Sequence, residues 1–210
     1  MKIGYLMQKG EEIRRPPYNG PANHVRQVAQ GLRELGHQVR VLVRLDETLW
    51  VTEDLAHFTS VELKRKGRAG RAAGLFESAV RRVQTELRLP YLAYFESRYF
   101  ALACQQALGD CEVYLERMSW MTYGGLLAAR RMKIPLVLEY NGDPVIDLKA
   151  KGELPQGLQY RIARFIMTKA LQSADRVIAT GDGWRSGRTP QASIRFVRQP
   201  SPVAITRSAD

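Results

Sequence analysis

The chain opens on a short apolar run, KIGYLM (2–7), which predicts a buried strand. A polar loop follows, carrying Gly10, Pro16, Pro17, Gly20 and Pro21. Val25, Val28, Ala29, Leu32 and Leu35 then fall at i, i+3, i+4, i+7 and i+10, the apolar face of one helix. Asn23 is the expected N-cap of that helix and Gly36 its expected stop. QVRVLVR (38–44) predicts a second strand. Strand, helix and strand in this order make a βαβ unit, so a parallel sheet with right-handed crossovers is expected.

The same alternation continues. Residues 45–60 read as loop, with HFTSVEL (57–63) a candidate third strand. Lys64 to Arg88 carries eight basic and two acidic residues; its second half reads as a helix with Leu75, Ala79, Val83 and Leu87 on one stripe. Residues 91–108 predict an aromatic-rich helix, CEVYLER (111–117) a strand and YGGLLAARRMK (123–133) a helix. IPLVLEY (134–140) is apolar on both faces, as a central parallel strand should be. NGDPVIDLKAKGELP (141–155) reads as loop, residues 156–173 as helix and ADRVIAT (174–180) as strand. Beyond Trp184 the periodicity fades, apart from a weak SIRFV, and 185–210 is expected to be a poorly ordered basic tail behind one domain, 1–184. The pattern predicts an α/β domain with a doubly wound parallel sheet.

Composition narrows the function classes. The 210 residues carry a net charge of +11 and are 45% hydrophobic, enough for a real core and a bias toward anionic partners. Cys104 and Cys111 lack CxxC spacing, which predicts reduced thiols in a cytoplasmic protein. His24, His37 and His57 form no HExxH-like cluster, so no metal is expected. No run approaches the roughly 18 apolar residues of a membrane span.

Open parallel sheets bind ligands beyond the carboxyl ends of their strands. Here those positions are the loops 8–24, 117–124, 141–147 and 181–185, with Asn19, Gly20, His24, Arg117, Ser119, Gly124, Gly125, Asn141, Gly142, Asp143 and Gly181 among their residues. The helix that follows the first loop adds free backbone N–H groups and a positive dipole end, suited to phosphate. No GxGxxG follows the first strand, and no Walker A lysine motif is present, so neither of those phosphate recipes applies.

KIGYL followed by NGPANHVRQVAQGLRELGHQVRVL resembles the opening of glycosyltransferase family 4 enzymes. VYLERMSWMTYGGLLAARRMKIPLVLEYNGDP resembles the family's fourth-to-fifth strand region, and ALQSADRVIATGDGWR its strand near the domain border. The likeness covers about residues 1–185. It implies a Rossmann-like domain forming a single GT-B half, the N-terminal, acceptor-side half of a retaining, nucleotide-sugar-dependent transferase. By resemblance, Gly20 stands at the second glycine of the phosphate-approaching loop, and Asn19 where the first usually is. His24 matches the helix-opening histidine and Arg117 the arginine after the fourth strand. Glu139, Asn141 and Asp143 lie where relatives place active-site polar groups and are the catalytic candidates; Ser119 joins the substrate-binding set.

The resemblance implies no cofactor, the nucleotide sugar being a substrate, and a sugar or lipid-linked acceptor as partner. The donor-binding domain that follows in relatives is not recognisable after residue 185, and the Arg/Ser/Pro-rich tail is what an out-of-frame reading of GC-rich DNA gives, so a truncated, inactive product is expected. The Lys64–Arg88 run predicts contact with an anionic membrane surface, which would make the protein peripheral on the inner face of the membrane. Nucleic acid is not the expected partner of a transferase; the alternative is a non-enzymatic basic α/β module that holds nucleic acid or anionic membrane.

Overall fold

The computed structural model describes residues 1–63, 78–80, 82, 83, 86 and 93–179, and the backbone of 196–198. The remainder of the basic run, Gly181 with its loop, and all other residues of the expected tail lie outside the described residues.

The elements run β1 (Lys2–Met7), α1 (Gly20–Glu34), β2 (Gln38–Leu45), β3 (Thr48–Thr52), β4 (Thr59–Ser60), α2 (Tyr94–Ala107), β5 (Val113–Arg117), α3 (Gly124–Met132), β6 (Leu136–Tyr140), α4 (Pro144–Ala150), α5 (Gly157–Ser173), β7 (Arg176–Ala179) and β8 (Phe196–Arg198). The eight strands form one sheet in the order β4-β3-β2-β1-β5-β6-β7-β8. From β2 to β8 every pairing is parallel; β3 and β4 join antiparallel at one edge. The weak SIRFV signal contains β8, which extends the parallel sheet beyond β7.

β1 lies at the centre and is buried from Ile3 to Met7. Alternate residues serve opposite faces. Ile3, Tyr5 and Met7 pack with Val39, Val41 and Val43 under Ala22, Val25 and Ala29 of α1. Leu6 and Leu42 pack on the other face with Phe100 and Cys104 of α2, Ala128 and Ala129 of α3, and Met167 and Leu171 of α5. The helices therefore cover both faces, as a doubly wound sheet requires. Strand order reverses at β1: β2 lies on one side and β5 on the other, so the loop after β1 turns to the α1 face and the loop after β5 turns to the α3 face. Their divergence opens a crevice at the carboxyl edge.

Several local expectations shift. Asn19, not Asn23, caps α1: its Oδ1 accepts the Ala22 N–H at 2.9 Å. Pro21 falls in the first turn, where a missing N–H is no loss. Gly36 does end the helix, at φ +83°, with its N–H on Arg33 O and that of His37 on Leu32 O, a Schellman arrangement. The loop expected at 141–155 contains the short helix α4, capped by Asp143. The stripe through Ala79 and Val83 is helical but exposed where described.

The loop expected at 45–60 hides a hairpin. β2 and β3 pair from Leu45–Thr48 outward, which leaves Asp46 and Glu47 as a two-residue connection. Asp46 sits at φ +54°, the conformation a type II′ turn normally gives to glycine. Without an Asn-Gly or Asp-Gly signature the turn is silent in the sequence. Asp46 is exposed, so Asp46→Gly removes strain and little else. The expected outcome is a gain of about 1 kcal/mol in a urea melt, with unchanged circular dichroism.

Candidate functional site

Two groups of side chains meet at the carboxyl edge, one on each face of the sheet. On the α1 face, β5 and β6 bring Arg117 beside Glu139 in register. Glu139 is 2% exposed and is clasped from three sides. The Tyr5 hydroxyl donates to its Oε2 at 2.6 Å, Asn141 Nδ2 donates to its Oε1 at 2.9 Å, and His24 Nε2 bonds the same Oε1 from the second turn of α1. Burial pushes the Glu139 carboxyl up, but the hydrogen bonds from His24, Tyr5 and Asn141 outweigh it and hold the pKa below the usual range. Burial, reinforced by the Glu139 charge, pushes the Tyr5 phenol far up, so it stays a donor. The bond fixes the His24 ring through Nε2 and leaves Nδ1 on the side away from Glu139.

Arg117 Nη1 donates to the Pro21 carbonyl at 3.3 Å, which places the guanidinium at the first turn of α1. Its charge adds to the positive end of the helix dipole. In that turn Pro21 has no N–H and the Ala22 N–H is taken by Asn19. Gly20 keeps a donor with no partner among the described residues, and a Cβ built there meets nothing within 4 Å. The opening is roomy rather than tight.

The remaining candidates are local. Asn19 caps α1 and donates to Glu11 Oε2 at 2.9 Å. The Ser119 backbone is locked to Thr122: its N–H donates to Thr122 Oγ1, whose hydroxyl donates back to the Ser119 carbonyl. Asp143 caps α4 and pairs with Arg164 of α5 at 3.5 Å. Thus His24, Glu139 and Asn141 form one cluster, with Arg117 adjoining; Asn19, Ser119 and Asp143 shape the loops around it. Tyr5 is missing from the sequence reading because an aromatic inside a strand looks like core.

On the opposite face a cavity of about 300 Å³ lies where β1, β2, α2 and the β5–α3 loop meet. Gln8, Lys9, Arg44, Glu96, Trp120 and Met121 contribute to its walls. Gln8 is buried; its Nε2 donates to Ser97 Oγ at 2.9 Å and its Oε1 accepts the Gly124 N–H at 2.7 Å. Five non-glycine residues among those described have positive φ, and three of them line this cavity: Asp46, Ala93 (+49°) and Met121 (+59°). Each costs on the order of 1 kcal/mol, and such strain gathers at functional sites.

Glu116 divides the two groups. It turns to the α3 face, away from Arg117, so these neighbours form no pair across the sheet. Its Oε1 accepts the Gly125 N–H at 3.2 Å. A Cβ at Gly125 would lie 2.5 Å from Glu116 Oε2, and one at Gly124 would lie 2.7 Å from Ser97 O. The two glycines let α3 start directly against the sheet. Cys104 and Cys111 are free and buried, and among the described residues no group of three or more His, Cys, Asp or Glu could hold a metal. No helix among the described residues is long and apolar enough to cross a membrane.

A family model described as a glycosyl transferase 4-like domain matches residues 19–188. The chain belongs to that family. The match spans α1 through β7 and includes His24, Arg117, Glu139 and Asn141, while β1 with Tyr5 and the Gln8–Gly10 side of the cavity precede it; the fold is a single Rossmann-like GT-B half. No curated protein matches the chain.

Glu116 gives the domain a pH signature. Burial raises its carboxyl from 4.5 to about 7, against weaker stabilisation by the Gly125 and Leu126 amides. Between those pH values the folded state binds more protons than the unfolded one, so stability falls as pH rises. Glu116→Gln, which keeps an acceptor for Gly125, flattens that decline; the difference in unfolding free energy grows from pH 4.5 to 7, by on the order of 3 kcal/mol at most. Urea melts at several pH values measure it.

Proposed function

We propose that residues 1–184 form the acceptor-side half of a retaining, nucleotide-sugar-dependent glycosyltransferase that acts in the cytoplasm on a sugar or lipid-linked acceptor, without a metal or bound cofactor. One observation carries the reading: the crevice at the strand-order reversal is flanked by a buried, hydrogen-bonded carboxylate cluster on one face and a strained cavity on the other.

In sugar transfer an acceptor hydroxyl forms a bond to the anomeric carbon, the bond to the donor diphosphate breaks, and the hydroxyl proton is lost. The diphosphate gains negative charge as it leaves. Arg117 and the amino end of α1 supply a positive region on that rim, where a preorganised dipole costs no reorganisation. Glu139 holds the His24 ring in one orientation and keeps its Nδ1 turned to other partners. The cavity walls supply both cations, Lys9 and Arg44, and an aromatic surface, Trp120, a mixture that suits a polyhydroxylated acceptor with an apolar face.

GT-B transferases work between two such halves, and the described residues form one sheet. The purified 210-residue chain is expected to bind acceptor-type sugars with a change in tryptophan fluorescence that Trp120→Phe abolishes, and to turn over no nucleotide sugar. Turnover by this chain, or acceptor binding unaffected at Trp120, would overturn the assignment. Glu139→Gln removes the charged acceptor shared by Tyr5, His24 and Asn141 and is expected to lower the unfolding free energy by about 1–3 kcal/mol in a urea melt, while acceptor binding at Trp120, on the other face of the sheet, stays as in the parent.

A further inference from the structure

We propose that the outer face of α5 is a docking surface for an anionic lipid bilayer. The inference stands on this helix and not on the transfer reaction. α5 buries Ala163, Met167, Ala170 and Leu171 against the sheet. On its opposite face Leu158, Arg161, Phe165 and Lys169 follow one another at spacings of three, four and four, and all four are exposed. Leu158 is 61% exposed and Phe165 63%. Two large apolar side chains on one stripe with cations between them form a patch of the kind that marks an interaction site.

Charge identifies the occupant. The 17 residues of α5 include Arg161, Arg164 and Lys169 and no aspartate or glutamate. Lys169 Nζ lies over the Phe165 ring, 5.8 Å from its centroid, so the ammonium and the apolar ring share one patch. Apolar side chains flanked by cations on a helix lying flat are the chemistry of an interfacial helix: the rings enter the acyl boundary and the cations stay with the phosphates. A second copy of the chain, equally cationic at this face, would be repelled.

The placement also has a consequence. α5 begins at the carboxyl edge, where Arg164 reaches Asp143 in the loop after β6. Ile146 of α4 is also exposed, at 66%, with Asp147 next to it in the chain, so the α4 side is less basic than α5. A bilayer seated on α5 would lie beside the rim of the crevice and set its distance from anything held in the membrane.

The test is co-sedimentation of the full 210-residue chain with phosphatidylcholine vesicles, with and without phosphatidylglycerol. Binding is expected only with the anionic lipid and is expected to weaken as salt rises. The paired change Leu158→Ser with Phe165→Ser is expected to lower partitioning about tenfold or more. The paired change Arg161→Glu with Lys169→Glu is expected to do the same through charge alone. All four positions are exposed, so thermal melts of both variants should match the parent. Absence of pelleting by the parent chain overturns the proposal. So does parent-like binding by folded α5 variants, including the case in which Lys64→Glu, Arg65→Glu and Lys66→Glu together abolish it.

Discussion

The first amides of α3 have no helical partners, and two buried side chains satisfy them. Gln8 takes the Gly124 N–H at the end of β1, and Glu116 takes the Gly125 N–H from β5. Leaving either donor unpaired in this closed space costs on the order of 1–3 kcal/mol. The arrangement works only because both helix residues are glycines; a single methyl would strike the carboxylate, the Gln8 amide or Leu6. It ties the two central strands to the helix that covers them, and so sets the floor of the crevice between the loops that follow β1 and β5. The raised carboxyl of Glu116 is the cost of using an acidic residue for this purpose.

With that floor in place, the two sides of the sheet acquire different characters. On the α1 face the side chains at the edge satisfy one another: a buried carboxylate receives a phenol, an imidazole and an amide, with an arginine beside it at the helix start. A cluster in which each polar group has a partner holds its geometry well. On the α3 face the edge leaves space, and the backbone around that space departs from its preferred conformations at three positions. The first arrangement suits holding charge in fixed positions, the second admitting a ligand. The glycosyl transferase 4-like match takes in α1 through β7, while Tyr5 of the cluster and Gln8, Lys9 and Gly10 of the cavity wall precede it.

Much of this was legible along the chain. The spacing of Val25, Val28, Ala29 and Leu32 specifies α1, the apolar runs specify β1, β2, β5, β6 and β7, and Gly36 marks a helix end, because helix and strand periods and positive φ leave direct traces in residue type; Leu35, expected on the same buried face, is instead the C-cap and 73% exposed. His24, Arg117 and Asn141 stood out because they fall at strand ends and helix starts along the carboxyl edge; Glu139, inside an apolar strand, was marked only by its resemblance to family members. The β2–β3 hairpin was not legible, since an Asp-Glu connection carries no glycine to announce its turn. Asn19 and Asn23 both fit a cap; the place of Pro21 in the first turn selects Asn19. The helix within 144–150 is too short for periodicity to register.

Other features depend on contacts between residues far apart in the chain. Tyr5 and Glu139 are separated by 134 positions, and Gln8 and Gly124 by 116. Nothing in either local sequence distinguishes a tyrosine that fills a core from one that donates to a buried carboxylate. The side on which Glu116 and Arg117 face follows from strand alternation, but what each meets there depends on which helix the crossover lays over it. The residue pattern determined that the chain would fold as strands and helices alternating around a parallel sheet, because periodicity is a local property. Only the packed structure decided which side chains share a proton, an amide or a cavity, because those depend on strand order and on the direction in which each loop leaves the sheet.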